Sequence, residues 1–407
     1  MPRRGNNLER VKLQNIESIK DIIYKYGPIS RTEIAEMLHL TPPTITTNVA
    51  NLIQQGIVYE CENTPIEEKN RTLGRRRILI DFIPDAQYVI GVECGYFGML
   101  ICLVNIRCKV VVEQKYEDKM DDYEKTMDVV AEHIKELLKE KHIPEDKVAG
   151  IGIAFPGFVD QRNEILRYGA INKWKDKYVI KDLEARTGFP CVMENNARCC
   201  AIGEEMCIDK LRPDTFAYFL VSRGLACPTV IRNRLHIGET TGAGEAGHMV
   251  VDPHGPVCPT CGNRGCLEGI SSEQSIRHRC SQAVKSGIPT LLNEICIEPN
   301  NPQIEEILKA QFCADRVVCT IMEDAGTYLG IGFANIINFM NPPLVIMDGR
   351  IFQHEQNKKR LLEVTHNNLL LLDMEEVDIE FVPFNKFRAA RGAAALAIKK
   401  FVLQEGR

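Results

Sequence analysis

His248, Cys258, Cys261 and Cys266 follow one another with nine, two and four residues between them, in a glycine-rich stretch that opens at Gly242-Ala243-Gly244-Glu245. Spacings this short let all four side chains reach one ion. Zinc prefers four soft or borderline ligands in a tetrahedron, and three cysteines with one histidine are a common structural set. A structural zinc held by the loop 248–266 is therefore expected. Two carboxylates, Glu245 and Glu268, lie close to the cluster in sequence. A metal that ties the loop down would also fix where they point. The chain has 16 cysteines, most among apolar neighbours as in Ile101-Cys102-Leu103, and the remainder are expected to stay thiols that fill core space.

At 407 residues the chain is long enough for two or three domains, and its hydrophobic fraction of 44% is ordinary for a globular protein. No apolar run reaches membrane-spanning length, and the start Met1-Pro2-Arg3-Arg4-Gly5 lacks a signal-peptide core. The expectation is a cytoplasmic protein with no membrane partner, in a compartment that keeps thiols reduced. Residues 1–80 carry 12 basic against 9 acidic residues, and the remainder carries 38 against 46. A mildly basic head on an acidic body fits a nucleic-acid-binding module joined to a domain with another task.

The head, placed at residues 1–84, has the pattern of a winged helix-turn-helix. Val11, Ile16, Ile19, Ile22, Ile23 and Tyr26 recur at helical spacing, and Gly27-Pro28 ends that helix. Ser30-Arg31-Thr32-Glu33 is a capping box, which opens a short second helix through Ile34 and Leu38. Thr41 is expected to cap a third helix with Pro42 at its first position and Gly56 past its end. Ile45, Val49, Leu52 and Ile53 make its buried stripe. Thr44, Thr47, Asn48 and Asn51 are expected on the opposite face, as short polar groups able to reach base edges or phosphates together with Thr41. Two strands, Ile57-Val58-Tyr59 and Ile78 to Phe82, bracket a polar loop ending in Gly74-Arg75-Arg76-Arg77. A basic hairpin tip after a helix-turn-helix is a wing, and arginine suits the narrow, negative minor groove.

The body, placed at residues 85–407, reads as α/β. Strands are expected at 88–93, 99–104, 110–115, 148–155 and 191–194, with helices over 123–141 and 196–206. A second strand pair spans about 216–235, a strand at 344–347 stops at Asp348-Gly349, and an alanine-rich helix covers 387–403. Hairpins feeding helices, occurring twice, suggest two similar lobes with a cleft between them.

These residues resemble a known family. The cysteine motif, with Gly244-Glu245-Ala246-Gly247-His248 before it and Cys266-Leu267-Glu268 at its end, is similar to that of the ROK family (repressors, open reading frames and kinases). Ala154-Phe155-Pro156-Gly157, Glu194-Asn195-Asn196-Ala197, Ala334-Asn335-Ile336-Ile337-Asn338 and Asn341-Pro342 add to the match. The resemblance implies an actin-like, sugar-kinase-like fold with two ribonuclease-H-like halves, over about residues 86–403. It implies a structural zinc on His248, Cys258, Cys261 and Cys266. It also implies sugar contacts at Gly157, Asn195, Asn196, Glu245, His248 and Glu268, groups able to pair with hydroxyls that both donate and accept. The head resembles that of the family's repressor branch. The partners implied are operator DNA, a small-molecule sugar effector, and further copies of the chain in a homodimer or dimer of dimers.

Departures from the kinase pattern bear on enzyme against sensor. Family kinases carry an aspartate base after Glu-Asn, where this chain has Asn196, whose amide has no usable basicity near neutral pH. The first phosphate loop, Asp-x-Gly-Gly-Thr in the family, is Glu93-Cys94-Gly95-Tyr96-Phe97 here. The second, Gly-Thr-Gly-x-Gly, is Ser222-Arg223-Gly224-Leu225-Ala226-Cys227-Pro228, and a later Gly-Gly is Asp348-Gly349. The expectation is a non-enzymatic, sugar-responsive repressor released from its operator by ligand. The alternative is an ATP-dependent sugar kinase of the glucokinase or N-acetyl-hexosamine kinase type. A third class, a redox switch built on the zinc cysteines, is set below both because closed sites of this ligand set are usually structural.

Overall fold

The computed structural model describes residues 5–62, 78–207, 210–370 and 376–404. The chain divides into two compact units, Met1–Leu211 with Phe387–Arg407, and Arg212–Lys386.

The head lies in the first unit. Helix α1 (Gly5–Tyr26) is followed by the short strand β1 (Ile29–Ser30), α2 (Arg31–Leu38), α3 (Pro42–Gln54), and strands β2 (Val58–Glu62) and β3 (Ile78–Phe82). The sheet order is β1-β3-β2. Ile19, Ile23, Ile34, Ile45, Val49, Leu52, Ile80 and Phe82 are fully buried and hold the three helices against the hairpin. The capping box forms: Glu33 donates its N–H to Ser30 Oγ (3.3 Å) and accepts from the Ser30 N–H (3.0 Å). Thr41 stands at the N-cap of α3, yet its hydroxyl meets Thr44 Oγ1 at 2.9 Å and no backbone N–H. Pro42 and Pro43 fill the first two helical positions, so one of the donors a cap normally satisfies is missing.

The first lobe follows in the same unit. Strands β4 (Tyr88–Gly95), β5 (Gly98–Asn105), β6 (Val110–Tyr116), β7 (Val148–Phe155) and β11 (Cys191–Asn195) form one sheet in the order β11-β7-β4-β5-β6. The β4, β5 and β6 neighbours are antiparallel, whereas β4, β7 and β11 run parallel. Strands β4 and β7 are buried along nearly their whole length, which is why their sequences are continuous apolar runs without alternation. Helix α4 (Tyr123–Glu140) buries Met127, Val130, Ile134 and Leu137 at helical spacing and is capped by Asp122. Strands β8 (Gly157–Asp160), β9 (Ile165–Gly169) and β10 (Lys175–Lys177) make a small separate sheet, then α5 (Val179–Thr187) leads to β11 and α6 (Asn196–Met206). This small sheet is absent from the sequence reading, since strands of three to five residues carry too little pattern.

The second unit holds β12 (Phe216–Val221), β13 (Leu225–Ala226), β14 (Thr229–Ile231), β15 (Arg234–Leu235), α7 (Leu267–Ser271), α8 (Glu273–Lys285), α9 (Leu292–Ile295), α10 (Ile304–Phe312), α11 (Arg316–Met340), β16 (Leu344–Asp348), α12 (Glu355–His366) and β17 (Asp378–Phe381). Its sheet order is β15-β14-β12-β16-β17, with β13 paired on β12. Leaving β13 aside, both units place their strands in the order three-two-one-four-five. That repeat is the pair of ribonuclease-H-like halves of an actin-like fold, as the sequence led one to expect. Phe219, Val221, Leu329, Phe333, Ile337, Val345 and Met347 belong to one buried cluster that packs α11 on the sheet.

The chain's last helix, α13 (Arg388–Ala397), returns to the first unit, and a π-helical turn (Ile398–Leu403) follows it. It packs on α6, β4 and β7 at backbone distance. A Cβ added at Gly91 would collide with the carbonyl of Ala390, one at Gly152 with that of Ala393, and one at Gly392 with that of Cys199.

One expectation about cysteines needs correction. Cys108, on the turn between β5 and β6, and Cys207, just past α6, are joined in a disulfide with their Cα atoms 5.1 Å apart. Ninety-nine residues separate them, so only the fold reveals the pairing. Fourteen cysteines are free thiols, and ten of these are buried: eight outside the loop 248–266, with Cys258 and Cys266 inside it.

The seam under α13 yields a direct prediction. Gly392→Ala should destabilise the protein by about 2 kcal/mol or more through overpacking, despite alanine's better helix propensity of about 1 kcal/mol. Chemical denaturation monitored by circular dichroism measures this, and an unchanged midpoint would contradict so close a helix–helix approach.

Candidate functional site

The four expected metal ligands converge within the second unit. One ligand atom from each of His248, Cys258, Cys261 and Cys266 lies within 4.8 Å of all the others. His248 Nδ1 is 3.9 Å from Cys258 Sγ, and Cys261 Sγ is 3.5 Å from Cys266 Sγ. Ligands at zinc-bond lengths around a tetrahedron stand roughly 3.3–3.8 Å apart, so the donor set and its spacing fit such an ion. Backbone bonds build this knot. The Cys258 N–H donates to Asn263 O (2.7 Å), the Gly262 N–H to Cys258 O (2.9 Å), and the Val251 N–H to Gly265 O (2.9 Å). Gly265 has φ +71°, and a side chain there would collide with the Asp252 carbonyl, so the turn requires glycine. Burial pushes the Cys266 thiol up to about 12, whereas the Asn263 N–H helps to hold the more exposed Cys261 below the ordinary thiol value. A cation at the centre would draw both toward the thiolate.

Glu268 lies in the first turn of α7, two residues after Cys266, and is buried, with 8% of its surface exposed. Its Oε2 accepts from the Leu225 N–H (3.0 Å) and its Oε1 from the Thr260 hydroxyl (2.5 Å). The carboxylate thus ties the cysteine loop to the segment 222–228. Glu245 is half-buried and precedes a single 3-10 turn (Ala246–His248), whose last residue is the ligand histidine. The knot therefore carries both carboxylates on a few residues of fixed backbone.

In the first unit, Gly157 and Asn195 are brought together. Asn195 caps α6, its Oδ1 accepting from the N–H groups of Ala197 (2.9 Å) and Arg198 (3.3 Å), while its Nδ2 donates to Gly157 O (2.9 Å). Asn196 is the first residue of α6, half-buried, at the positive end of that helix. The neighbouring Glu194 is fully buried. Its Oε1 accepts from the Asn195 N–H (2.6 Å) and Arg198 Nη1 (3.4 Å), and its Oε2 has no partner among the described residues. Desolvation raises its carboxyl. Glu93, at the end of β4, shares its register partner Ala154 with Glu194, so both carboxyls emerge on one face of the sheet. Burial pushes Glu93 up to about 8. Sequence reading noted Glu93 only as a departure; its place at the end of a fully apolar strand was the available signal.

The segments compared with phosphate loops are packed in their own ways. Tyr96-Phe97 makes a tight turn between β4 and β5. In the second unit the Ser222 N–H donates to Gly224 O (2.9 Å), and the Glu273 N–H donates to Ser222 O (2.9 Å). Arg350, just after Asp348-Gly349, forms a paired ion contact with Glu273 and a further bond to Glu305 (2.5 Å). Tyr218 donates its hydroxyl to Asp348 Oδ2 (2.5 Å).

On α3, Thr41 and Thr47 are exposed, and Thr44 and Asn51 are half-buried. Asn48 is different: it is buried and donates its Nδ2 to Thr44 O (2.8 Å). It lies three residues after Ile45 and four before Leu52, which puts it on the buried stripe, so its place on the polar face is corrected. Pro43, Thr46, Ala50 and Gln54 complete the exposed side. Helical spacing, weighed above residue type, would have found them. Arg75, Arg76 and Arg77 lie outside the described residues.

A winged helix-turn-helix joined to an actin-like, sugar-kinase-like domain with a Cys3His cluster defines the class: a DNA-binding head on a carbohydrate-type fold. Sequence comparison matches residues 19–59 to a winged helix-turn-helix DNA-binding family and residues 89–400 to the ROK family. The chain belongs to the ROK family. It is 27% identical over 343 residues to the xylose repressor of Bacillus subtilis, covering 84% of each chain. It is 27% identical over 350 residues to the DNA-binding transcriptional dual regulator NagC of Escherichia coli, covering 86% of this chain and 84% of that one. A crystal structure of a ROK family transcriptional regulator, a homologue of the E. coli MLC protein, superposes with a TM-score of 0.81 at 25% identity. That match covers 97% of this chain and 98% of the other.

Glu93 makes stability depend on pH. Its folded carboxyl, at about 8, lies above its ordinary value of 4.5, so the folded state binds more protons between the two. Stability should therefore fall as pH rises from about 5 to 8. Glu93→Gln removes this titration, and the variant should gain on the parent as pH rises across that window. Melting curves at half-unit pH steps check it; parallel curves for parent and variant would refute the assignment.

Proposed function

We propose that this protein is a sugar-responsive DNA-binding transcriptional regulator, a repressor released from its operator by a sugar. The observation that carries the proposal is the joining of a winged helix-turn-helix to a ROK domain in one chain, over almost the full length of a solved ROK transcriptional regulator. Relatives named for xylose and N-acetylglucosamine repression support a carbohydrate effector. No helix among the described residues is long and apolar enough to cross a membrane.

The functional division falls at residues 84/85. Thr41, Thr44, Thr47 and Asn51 on α3 face the major groove, and Arg75, Arg76 and Arg77 on the wing enter the minor groove. Asn48 supports the helix from within. A homodimer, or a dimer of dimers, presents two such heads to a roughly palindromic operator. Sugar hydroxyls are taken by Gly157, Asn195, Asn196, Glu245, His248 and Glu268. Zinc on His248, Cys258, Cys261 and Cys266 serves structure, and one imidazole nitrogen of His248 stays available for a hydroxyl. Asn196 cannot act as a base, and buried Glu93 and the altered loops at 93–97 and 222–228 do not match the phosphate-binding pattern.

Three outcomes are expected. The purified chain should hold about one zinc, and Cys261→Ser, at the most exposed ligand, should lose most of it with a fall in melting temperature; zinc content by atomic absorption reads this. One sugar from a panel of pentoses, hexoses, N-acetyl-hexosamines and their phosphates should raise the melting temperature, by the equivalent of about 2.7 kcal/mol at a hundredfold its Kd. That sugar should weaken binding to DNA from the protein's own promoter region in a mobility-shift assay. Turnover of ATP with any sugar in the panel would instead establish the kinase.

A further inference from the structure

We propose that Cys108 and Cys207 form a reversible thiol–disulfide site that locks the seat of helix α1 on the first lobe. It would give the protein a redox input separate from its metal cluster and from its sugar. Every residue involved lies in the first unit, whereas the four metal ligands lie in the second.

Position is the first argument. Cys108 sits on the tight turn between β5 and β6 with φ +56°, and Cys207 caps the C-terminus of α6. Their Cα separation of 5.1 Å falls in the range a disulfide needs. The bond therefore joins one end of the sheet's hairpin to the end of a helix that begins at Asn196.

Head contacts converge on the same spot. The Tyr24 hydroxyl of α1 lies 3.4 Å from Cys108 Sγ and donates to the Met206 carbonyl at 3.3 Å. Arg107, next in sequence to Cys108, donates to the carbonyls of Tyr24 (2.6 Å) and Ile23 (3.3 Å), the last turn of α1. A cation there complements the negative end of the helix. Arg107 also pairs with Asp81 of β3, and its guanidinium lies 5.4 Å from the ring centres of both Tyr24 and Phe82. The turn that carries Cys108 thus holds the end of α1 and the hairpin of the wing, and Cys207 carries the other wall of the Tyr24 contact. Oxidised, the two walls are one covalent piece. Reduced, they are free to part.

Chemistry singles out this pair. Of the other cysteines of the first unit, Cys94, Cys102, Cys191, Cys199 and Cys200 are buried, and burial raises the thiols of Cys94 and Cys102 to about 12, which suppresses the reactive thiolate, while the half-buried Cys61 lies on β2 with its thiol donating to the Leu79 carbonyl (3.6 Å). Cys207 is half-exposed and reachable. A hydroperoxide is the oxidant. The Cys207 thiolate attacks the peroxide oxygen, the O–O bond breaks, and water leaves after protonation, giving a sulfenic acid. Cys108 then attacks that sulfur, the S–O bond breaks, and a second water leaves. Two thiols and one hydrogen peroxide become one disulfide and two waters. A dithiol reverses it by exchange, itself becoming a disulfide.

The test uses the full-length, metal-loaded chain and needs neither operator nor sugar, so its failure is distinct from failure of the proposed function. Protein reduced with dithiothreitol is treated with hydrogen peroxide, alkylated, and digested for mass spectrometry, while released metal is followed with a chromogenic chelator. The expected result is a cross-linked Cys108–Cys207 peptide that dithiothreitol removes from the folded protein, without metal loss. Amide exchange over residues 17–26 should be about threefold slower, or more, in the oxidised form. Cys108→Ser and Cys207→Ser should each abolish the difference. Comparing the two redox forms of the unmutated chain covers the case in which a variant misfolds. Three outcomes would overturn the proposal: both thiols alkylated after oxidation, a cross-link that resists dithiothreitol until the protein unfolds, or identical exchange of α1 in the two forms.

Discussion

The first unit depends on backbone meeting backbone beneath α13. Strands β4 and β7 and helix α6 approach that helix so closely that Gly91, Gly152 and Gly392 cannot carry a side chain without a collision. Small residues there let a segment from the end of the chain close the lobe as its inner layer. The consequence is positional precision. Strand β4 carries Glu93 near its end and runs into the Tyr96-Phe97 turn, β7 leads into Pro156-Gly157, and α6 starts at Asn196. One rigid contact therefore sets the relative placement of three functional segments, since tightly packed interiors do not deform continuously.

The second unit solves the same problem with a different device. Its candidate ligand-facing groups lie on loops or on single short turns of helix, and such segments without a scaffold are poor at holding carboxylates in place. Here four metal-type ligands within a 19-residue stretch supply the scaffold. Glu268 follows the last cysteine by two residues and spans from Thr260 in the knot to the Leu225 amide on the strand side. A carboxylate with both oxygens engaged is already oriented, and each oxygen keeps lone-pair capacity for a further donor.

What could be read from the sequence was local or periodic. The Cys3His cluster was legible because its four residues are close along the chain. The capping box at Ser30 and Glu33 and the buried strands were legible because their signals span four to eight residues. Asn48 was misplaced because its side-chain type outweighed its phase; its position between Ile45 and Leu52 already put it inside. Thr41 was read as a capping side chain, and the proline that would have warned against it is the second of the pair. The Cys108–Cys207 bond and the sharing of Ala154 by Glu93 and Glu194 were out of reach, because both arise from strand order and not from spacing.

The proposed sensor must obey a simple energetic requirement. A ligand moves an equilibrium only by the difference in its affinity for the two states, and a hundredfold change in operator affinity needs about 2.7 kcal/mol of such difference. Contacts that hold ligand equally in both states contribute nothing. Asn195 is informative here: its amide already caps α6 and binds the Gly157 carbonyl, so a ligand that competes for either group must alter the start of α6. That helix of 11 residues, about 16 Å long, ends at Met206, whose carbonyl receives the Tyr24 hydroxyl of the head. A stiff rod seated on α13 transmits displacement along its axis better than it absorbs it. In the proposed sensor, α6 would be the most direct route from sugar to head. At its far end lie the Arg107–Asp81 ion pair and the hydrogen bonds of Arg107 to the last turn of α1.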